Sequence, residues 1–157
     1  GPAGDKGACQ RRGLSDDERP LTPGGRRKTG KAADGLARLL ESVDVIACSP
    51  LLRARQTADI LARRFKNARR VVWAQLKPDA GCDTVIAPLA ALSDDATVAL
   101  VGHEPHLSGV IAALLGCRGL KLELKKAGSC LLSLDKPRRG AAKLVWLLQP
   151  KQLRALR

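Results

Sequence analysis

The 157 residues suffice for one domain with a single sizeable core and are too few for two large domains. With 45% hydrophobic and 27% charged residues, the chain buries enough apolar surface to exclude general disorder. The net charge of +13 favours anionic partners, and the excess of Lys and Arg is concentrated in residues 118–157. We do not expect nucleic acid as a partner, because the chain has only three aromatic residues that could stack on bases.

The cysteines indicate a reduced, cytoplasmic protein. They are odd in number and widely spaced, without a Cys-x-x-Cys pair or a nearby His at metal-ligand spacing: Cys9, Cys48, Cys82, Cys117 and Cys130. We therefore expect no metal. No apolar run approaches the roughly 18 residues of a membrane span, so we expect no membrane contact.

The first 18 residues differ in composition from the rest of the chain. They are rich in Gly, Arg and Asp, nearly without large apolar residues, and begin with Gly rather than Met. The composition predicts an irregular segment over 1–18, followed by a single domain over 19–157.

Helices and strands then alternate. Thr22 is a plausible N-cap with Pro23 at the first helical position, and the apolar spacing continues to Glu41. Further elements are predicted as a strand at 43–48, a helix at 51–65, a strand at 71–76, a short helix at 84–92 interrupted by Pro88, and a strand at 97–101.

The last third of the chain begins with a helix over 107–115, for which Gly116 is the predicted C-cap. Alternating apolar residues then predict antiparallel strands at 120–124, 130–134 and 143–148, before a short basic helix from Pro150. This order predicts an α/β fold of three layers, with a mainly parallel sheet flanked by helices and antiparallel strands at one edge.

In such sheets ligands bind at the carboxyl ends of the strands. Two of these ends carry polar residues, Ser49-Pro50-Leu51-Leu52-Arg53 and Gly102-His103-Glu104-Pro105.

Together with Arg19-Pro20-Leu21-Thr22-Pro23-Gly24-Gly25-Arg26, Leu76-Lys77-Pro78-Asp79-Ala80 and Leu124-Lys125-Lys126-Ala127-Gly128, these motifs stand in a family order. From about Arg19 to the C-terminus the chain resembles the histidine phosphatase (phosphoglycerate-mutase-like) superfamily, in particular its small SixA-type phosphohistidine phosphatases.

The resemblance implies a mechanism without cofactor or metal. In the family, a histidine of an Arg-His-Gly motif at the end of the first strand attacks phosphorus and is transiently phosphorylated. Two arginines and a second histidine surround the phosphoryl oxygens. Matching positions make Arg53 one of those arginines and His103 the second histidine, both catalytic and phosphate-binding, because a guanidinium binds two oxygens at once. His106 receives no role, and Glu104 is not assigned as proton donor.

The family's Arg-His-Gly motif is missing, since no histidine precedes His103. The nucleophile position falls near Asp5-Lys6-Gly7, at Lys6, or alternatively within Arg11-Arg12-Gly13. A protonated lysine has no lone pair to offer, so hydrolysis through the covalent intermediate is not expected of this chain. The family's first strand, which lies inside the sheet, is missing too, and its loss leaves ladder groups without partners.

Two interpretations of this N-terminus stay open, a truncation or frame shift upstream of about Leu14 and a degenerate relative. The leading functional hypothesis is a SixA-type phosphatase acting on a phosphorylated protein, such as a histidine-phosphotransfer domain, or on a small phosphoester. The alternatives are a non-catalytic phosphate- or phosphoprotein-binding module and charge-driven nucleic-acid binding.

Overall fold

The computed structural model describes residues 1–11, 13 and 15–156. Its helices are α1 (Lys6–Arg11), α2 (Pro23–Leu39), α3 (Leu52–Ala62), α4 (Ile86–Ala90), α5 (His106–Leu115) and α6 (Pro150–Ala155), with two 3-10 helices at Ala74–Leu76 and Cys82–Val85. Its strands are β1 (Val45–Cys48), β2 (Arg69–Val72), β3 (Val98–Val101), β4 (Ser129–Ser133) and β5 (Lys143–Leu148).

A parallel sheet with the order β2-β1-β3 lies at the centre of the fold. All four residues of β1 are buried, and alternate side chains face opposite sides of the sheet. Ile46 and Cys48 pack in a core with α2 and α3, whereas Ala47 packs on the other face with Leu76 and Val110. Helices therefore cover both faces, which confirms the predicted α/β class.

The antiparallel strands form a second sheet instead of an edge of the first. β4 pairs with β5 in a register that places Ser129 opposite Leu148. Within the described residues, no strand joins this pair to β3. The predicted parallel and antiparallel strands are thus both present, but they form two separate sheets, one ending at β3 and the other beginning at β4.

The predicted strand at 120–124 is wrong, because these residues form no strand. Alternation alone does not make a strand without a neighbouring edge. Here the Gln149 side chain takes the place of that edge: its Nε2 donates to the carbonyl of Glu123 at 2.6 Å, and its Oε1 accepts from the amide of Lys125 at 3.2 Å.

The N-terminal segment is more ordered than predicted. Helix α1 lies within 1–18, and Asp5 Oδ1 accepts from the amide of Ala8 at 2.8 Å, as an N-cap does. The segment pairs with the rest of the chain through an antiparallel bridge between Ala3 and Leu21. The division into 1–18 and a domain over 19–157 stays a prediction.

Most other boundaries agree with the sequence to within a few residues. Thr22 caps α2 by accepting from the amide of Gly25 at 2.9 Å, and Gly116 ends α5 with φ of 69°. The strand predicted at 71–76 begins and ends earlier, as β2, and the rest forms a 3-10 helix. No helix in the described part of the chain is both long and apolar enough to cross a membrane.

Candidate functional site

Arg53 lies in the first turn of α3, just beyond the carboxyl end of β1. Its side chain is only 13% exposed, because Nη1 donates to the main-chain carbonyl of Asp16 at 2.6 Å and Nη2 donates to the Asp16 carboxylate at 2.9 Å. A guanidinium held in this way is fixed in direction before any ligand arrives.

His103 follows β3 and reaches the same place from the neighbouring strand. Its Nε2 is hydrogen-bonded to Ser49 Oγ at 2.9 Å, and Ser49 is fully buried at the end of β1. Burial, together with the positive charge of Arg53, lowers the pKa of His103 to about 4. The imidazole is therefore neutral at pH 7.

Asp16 and Arg19 complete the polar cluster, and sequence reasoning gave neither of them a role. Arg19 Nη2 contacts Asp16 Oδ1 at 2.9 Å, and Arg19 Nη1 donates to the carbonyl of Gly4 at 3.1 Å. Burial raises the pKa of Asp16, but the charges and hydrogen bonds of Arg53 and Arg19 outweigh it and leave the pKa below its usual value. Asp16 is therefore ionised and joins the two arginines.

Ser49, which bonds His103, was marked in the sequence by the Ser49-Pro50 pair at the end of an apolar run. A serine directly after a fully apolar strand is buried, so its hydroxyl needs a partner, and His103 supplies one. No comparable signal marks Asp16, because its contact with Arg53 spans 37 residues.

Lys6 lies in the first turn of α1 with an exposed side chain, and lines the same cleft as Arg53 and His103. It follows no strand, and its assignment as the nucleophile-equivalent residue stays a prediction. Of the alternative position, Arg11-Arg12-Gly13, residue Arg12 lies outside the described residues, and this assignment also stays a prediction.

Glu104 and His106 flank the site without entering it. The Glu104 carboxylate accepts from the amide of Ser108 at 3.1 Å and from its hydroxyl, which leaves it occupied at the start of α5. His106, which received no role from the sequence, is 3% exposed, so it packs locally and does not face solvent. Burial lowers its pKa.

These groups open on a cleft of about 830 Å³ between β3 and β4, here called the central cleft. Its polar end contains Arg53, Arg19 and His103, and Lys125 and Lys126 also line it. Among the described residues, no three His, Cys, Asp or Glu side chains converge as metal ligands. Two guanidiniums beside a neutral imidazole have the charge and the donors to bind a small oxyanion.

Comparisons with known proteins agree with this geometry. The sequence profile of the Histidine phosphatase superfamily (branch 1) matches residues 7–78. An uncharacterized protein of Picosynechococcus is 39% identical over 132 residues, covering 82% of this chain and 77% of the relative. An uncharacterized protein of Mycobacterium tuberculosis is 37% identical over 108 residues, covering 68% of this chain and 66% of the relative.

Solved structures extend the likeness to most of the chain. The protein histidine phosphatase SixA, in complex with tungstate, has a TM-score of 0.79 at 26% identity, covering 89% of this chain and 90% of that one. A SixA-type protein of Nakamurella has a TM-score of 0.76 at 25% identity, covering 95% and 91%. The chain belongs to branch 1 of the histidine phosphatase superfamily and is of the SixA type.

Proposed function

We propose that the chain forms the phosphoryl-binding site of a phosphohistidine phosphatase, with Arg53 and His103 holding the phosphoryl group. The observation that carries the proposal is that Arg53, in the first turn of α3 after β1, and His103, just after the neighbouring β3, line the same cleft, with the charge of Arg53 acting on the His103 ring. The SixA structure that this chain resembles holds tungstate, an oxyanion with the shape of phosphate.

The chemistry expected of the site has two halves. Arg53 and Arg19 supply positive charge to the phosphoryl oxygens, and the neutral His103 accepts or donates a hydrogen bond without adding fixed charge. The other half is a nucleophile, which must form a bond to phosphorus as the bond to the leaving group breaks. No histidine precedes His103, and a protonated Lys6 has no lone pair. We infer that residues 1–157 bind the phosphoryl group and do not release it as phosphate.

The substrate we propose is a phosphorylated protein, such as a histidine-phosphotransfer domain, with a small phosphoester as the alternative. Support comes from the basic C-terminal quarter, which reaches the cleft through Lys125 and Lys126. Such a field draws an acidic protein surface toward the pocket. We place the protein in the cytoplasm, a proposal supported by its five cysteines, all described and all without a disulfide.

A binding experiment tests the site. Titration calorimetry with orthovanadate and with inorganic phosphate is expected to show one site on the unaltered chain, and Arg53→Ala is expected to weaken binding about tenfold to a hundredfold. The matched control is Arg55→Ala, which removes the same charge from the exposed face of α3 and is expected to bind as the unaltered chain does. Equal loss in both variants would indicate general charge attraction and would overturn the proposal.

A non-catalytic phosphate-binding module is the second candidate. The observation in its favour is that Arg53 and His103 are held by Asp16 and Ser49 in one cleft, although no histidine precedes His103 in residues 1–157. It predicts vanadate binding that depends on Arg53 even if no phosphatase activity can be restored.

A further inference from the structure

Ser49 and His103 come together where two neighbouring strands end. The amide of Ser49 donates to the carbonyl of Val101 at 2.9 Å, which continues the pairing of β1 with β3 past the last residue of β1. His103 follows Val101 by two residues, and its Nε2 lies 2.9 Å from Ser49 Oγ. A main-chain bond and a side-chain bond therefore join the two strand ends at the same place.

The hydroxyl group of Ser49 is shut off from solvent. The residue is 0% exposed, so the hydroxyl needs protein partners for its hydrogen bonds. The amide of Leu51 donates to Oγ at 3.3 Å, which uses one of the two lone pairs. Among the described residues, His103 is the one other hydrogen-bond partner of this oxygen. The Ser49 hydroxyl proton therefore has a single acceptor there, the Nε2 atom of His103.

Two arrangements of hydrogen atoms fit the distance between Oγ and Nε2. In the first, the Ser49 hydroxyl donates to Nε2, and the neutral ring carries its hydrogen on Nδ1. In the second, Nε2 carries the hydrogen and donates to Oγ, which leaves the hydroxyl proton without an acceptor in the described part of the chain. A buried donor without a partner is costly, so the first arrangement is favoured by about tenfold or more.

The second ring nitrogen of His103, Nδ1, is left for a ligand. It forms no hydrogen bond within the residues that the structure describes, and His103 lines the central cleft. The two ring nitrogens of His106 are enclosed by protein, whereas Nδ1 of His103 is not. A hydrogen atom on Nδ1 is therefore available to a molecule in the cleft.

We propose that Ser49 is a positioning residue, which fixes His103 in the neutral tautomer that carries its hydrogen on Nδ1. Ser49 contacts the ring but is not one of the residues that line the cleft, so it acts through the histidine. The tautomer belongs to the unliganded chain, and it holds whether or not the cleft binds phosphate.

A consequence for ligand binding rests on the proposed function. With its hydrogen on Nδ1, His103 offers a donor to the phosphoryl group, as Arg53 and Arg19 do. The opposite tautomer would present a lone pair to phosphoryl oxygens that carry no hydrogen when the group is fully ionised. Ser49 thereby makes His103 donate to a phosphoryl oxygen and prevents it from accepting.

Nitrogen-15 NMR of the imidazole ring tests the tautomer directly. The labelled chain is measured at pH 8, where His103 is neutral because burial and the charge of Arg53 lower its pKa to about 4. His103→Gln identifies its pair of ring resonances, since the chain has two histidines. The two chemical shifts are expected to report an excess of the Nδ1-H form of about tenfold or more. A ring with its hydrogen on Nε2 in the unaltered chain would overturn the proposal, even if no Ser49 variant folds.

Substitutions of Ser49 show whether its hydroxyl is the cause. Ser49→Ala is expected to lower the tautomer ratio about fivefold or more, and Ser49→Cys, which keeps a weaker donor, is expected to give an intermediate ratio. The matched control is Ser108→Ala, because the Ser108 hydroxyl donates to the Glu104 carboxylate and not to the ring. An unchanged ratio in a Ser49→Ala chain that circular dichroism shows to be folded would contradict the proposal. So would an equal change in Ser108→Ala.

Addition of orthovanadate separates this proposal from the proposed function. Bound vanadate is expected to shift the Nδ1 resonance of His103 and to leave its hydrogen on Nδ1. A ring in the Nδ1-H form that does not respond to vanadate would support the role of Ser49 and contradict the phosphoryl site. A change from the Nε2-H form to the Nδ1-H form on binding would show that the anion determines the tautomer, and would overturn the role of Ser49.

Discussion

The guanidinium of Arg53 donates two hydrogen bonds to Asp16, one to its carbonyl at 2.6 Å and one to its carboxylate at 2.9 Å. Arg19 holds the other carboxylate oxygen at 2.9 Å. The negative charge of Asp16 therefore lies against the cations that we propose for the phosphoryl group. An arriving anion meets both the attraction of the two arginines and the repulsion of this carboxylate.

We predict that Asp16→Asn tightens vanadate binding about threefold to tenfold, because the amide keeps an acceptor for Arg53 and removes the charge. Calorimetry at constant ionic strength measures the change. The matched control is Asp17→Asn, whose side chain is exposed and whose carbonyl still accepts from Leu52 at 2.8 Å. Weaker binding in Asp16→Asn would mean that the carboxylate serves to position Arg53.

Replacing Arg53 by lysine tests the geometry as distinct from the charge. Lysine keeps the positive charge but not the planar pair of donors, so Arg53→Lys is expected to weaken vanadate binding about tenfold. The same calorimetric titration measures it. Affinity equal to that of the unaltered chain would show that charge alone binds the anion.

The neutral state of His103 is directly measurable. The chain has two histidines, and the Cε1 proton resonance that His103→Gln removes identifies the first of them. Its titration is expected at a pKa of about 4, and Arg53→Ala is expected to raise that pKa. Bound vanadate, which brings negative charge to the ring, is expected to raise it as well. A pKa near 6.5 in the unaltered chain would contradict the site as described.

The same pKa determines how stability varies with pH. Since the folded state resists protonation of His103, the unfolded state binds the additional proton as the pH falls below 6.5. This group therefore lowers the free energy of unfolding progressively between pH 6.5 and about pH 4. Urea unfolding across that range is expected to show a shallower pH dependence in His103→Gln. An unchanged dependence would contradict the shift.

Gly35 and Gly30, both in α2, allow the effect of packing on the free energy of unfolding to be compared in matched variants. A Cβ on Gly35 would lie 1.8 Å from the carbonyl of Leu153, so Gly35→Ala is expected to destabilise the fold by about 2–3 kcal/mol, through α2 and α6. Gly30 has no atom within 4 Å of its Cβ position, and Gly30→Ala is expected to stabilise by about 0.5–1 kcal/mol. Similar effects of the two changes on urea unfolding would contradict the packing of α6.

The local elements were accessible to sequence reasoning because their signals are local. Thr22 and Pro23 begin α2, Gly116 ends α5, and β1 is a buried apolar run, all as predicted. The strand expected at 120–124 does not form, because a strand needs a neighbouring strand edge. Here the Gln149 side chain instead forms hydrogen bonds with the main-chain groups of Glu123 and Lys125.

Sequence reasoning found only part of the candidate site. Motif order singled out Arg53 and His103, and the structure brings both to the polar end of one cleft. Asp16 could not be found in this way, because its role depends on contact with Arg53, which lies 37 residues farther along the chain.

The most direct test is phosphate release from a phosphohistidine protein by a chain carrying five apolar residues, Arg and His before Gly1. The account predicts release by this chain, loss of release with either His103→Ala or Arg53→Ala, and none from the unaltered chain. Equal release by the unaltered chain would contradict it. So would no release by the extended chain when circular dichroism and urea unfolding show that it is folded.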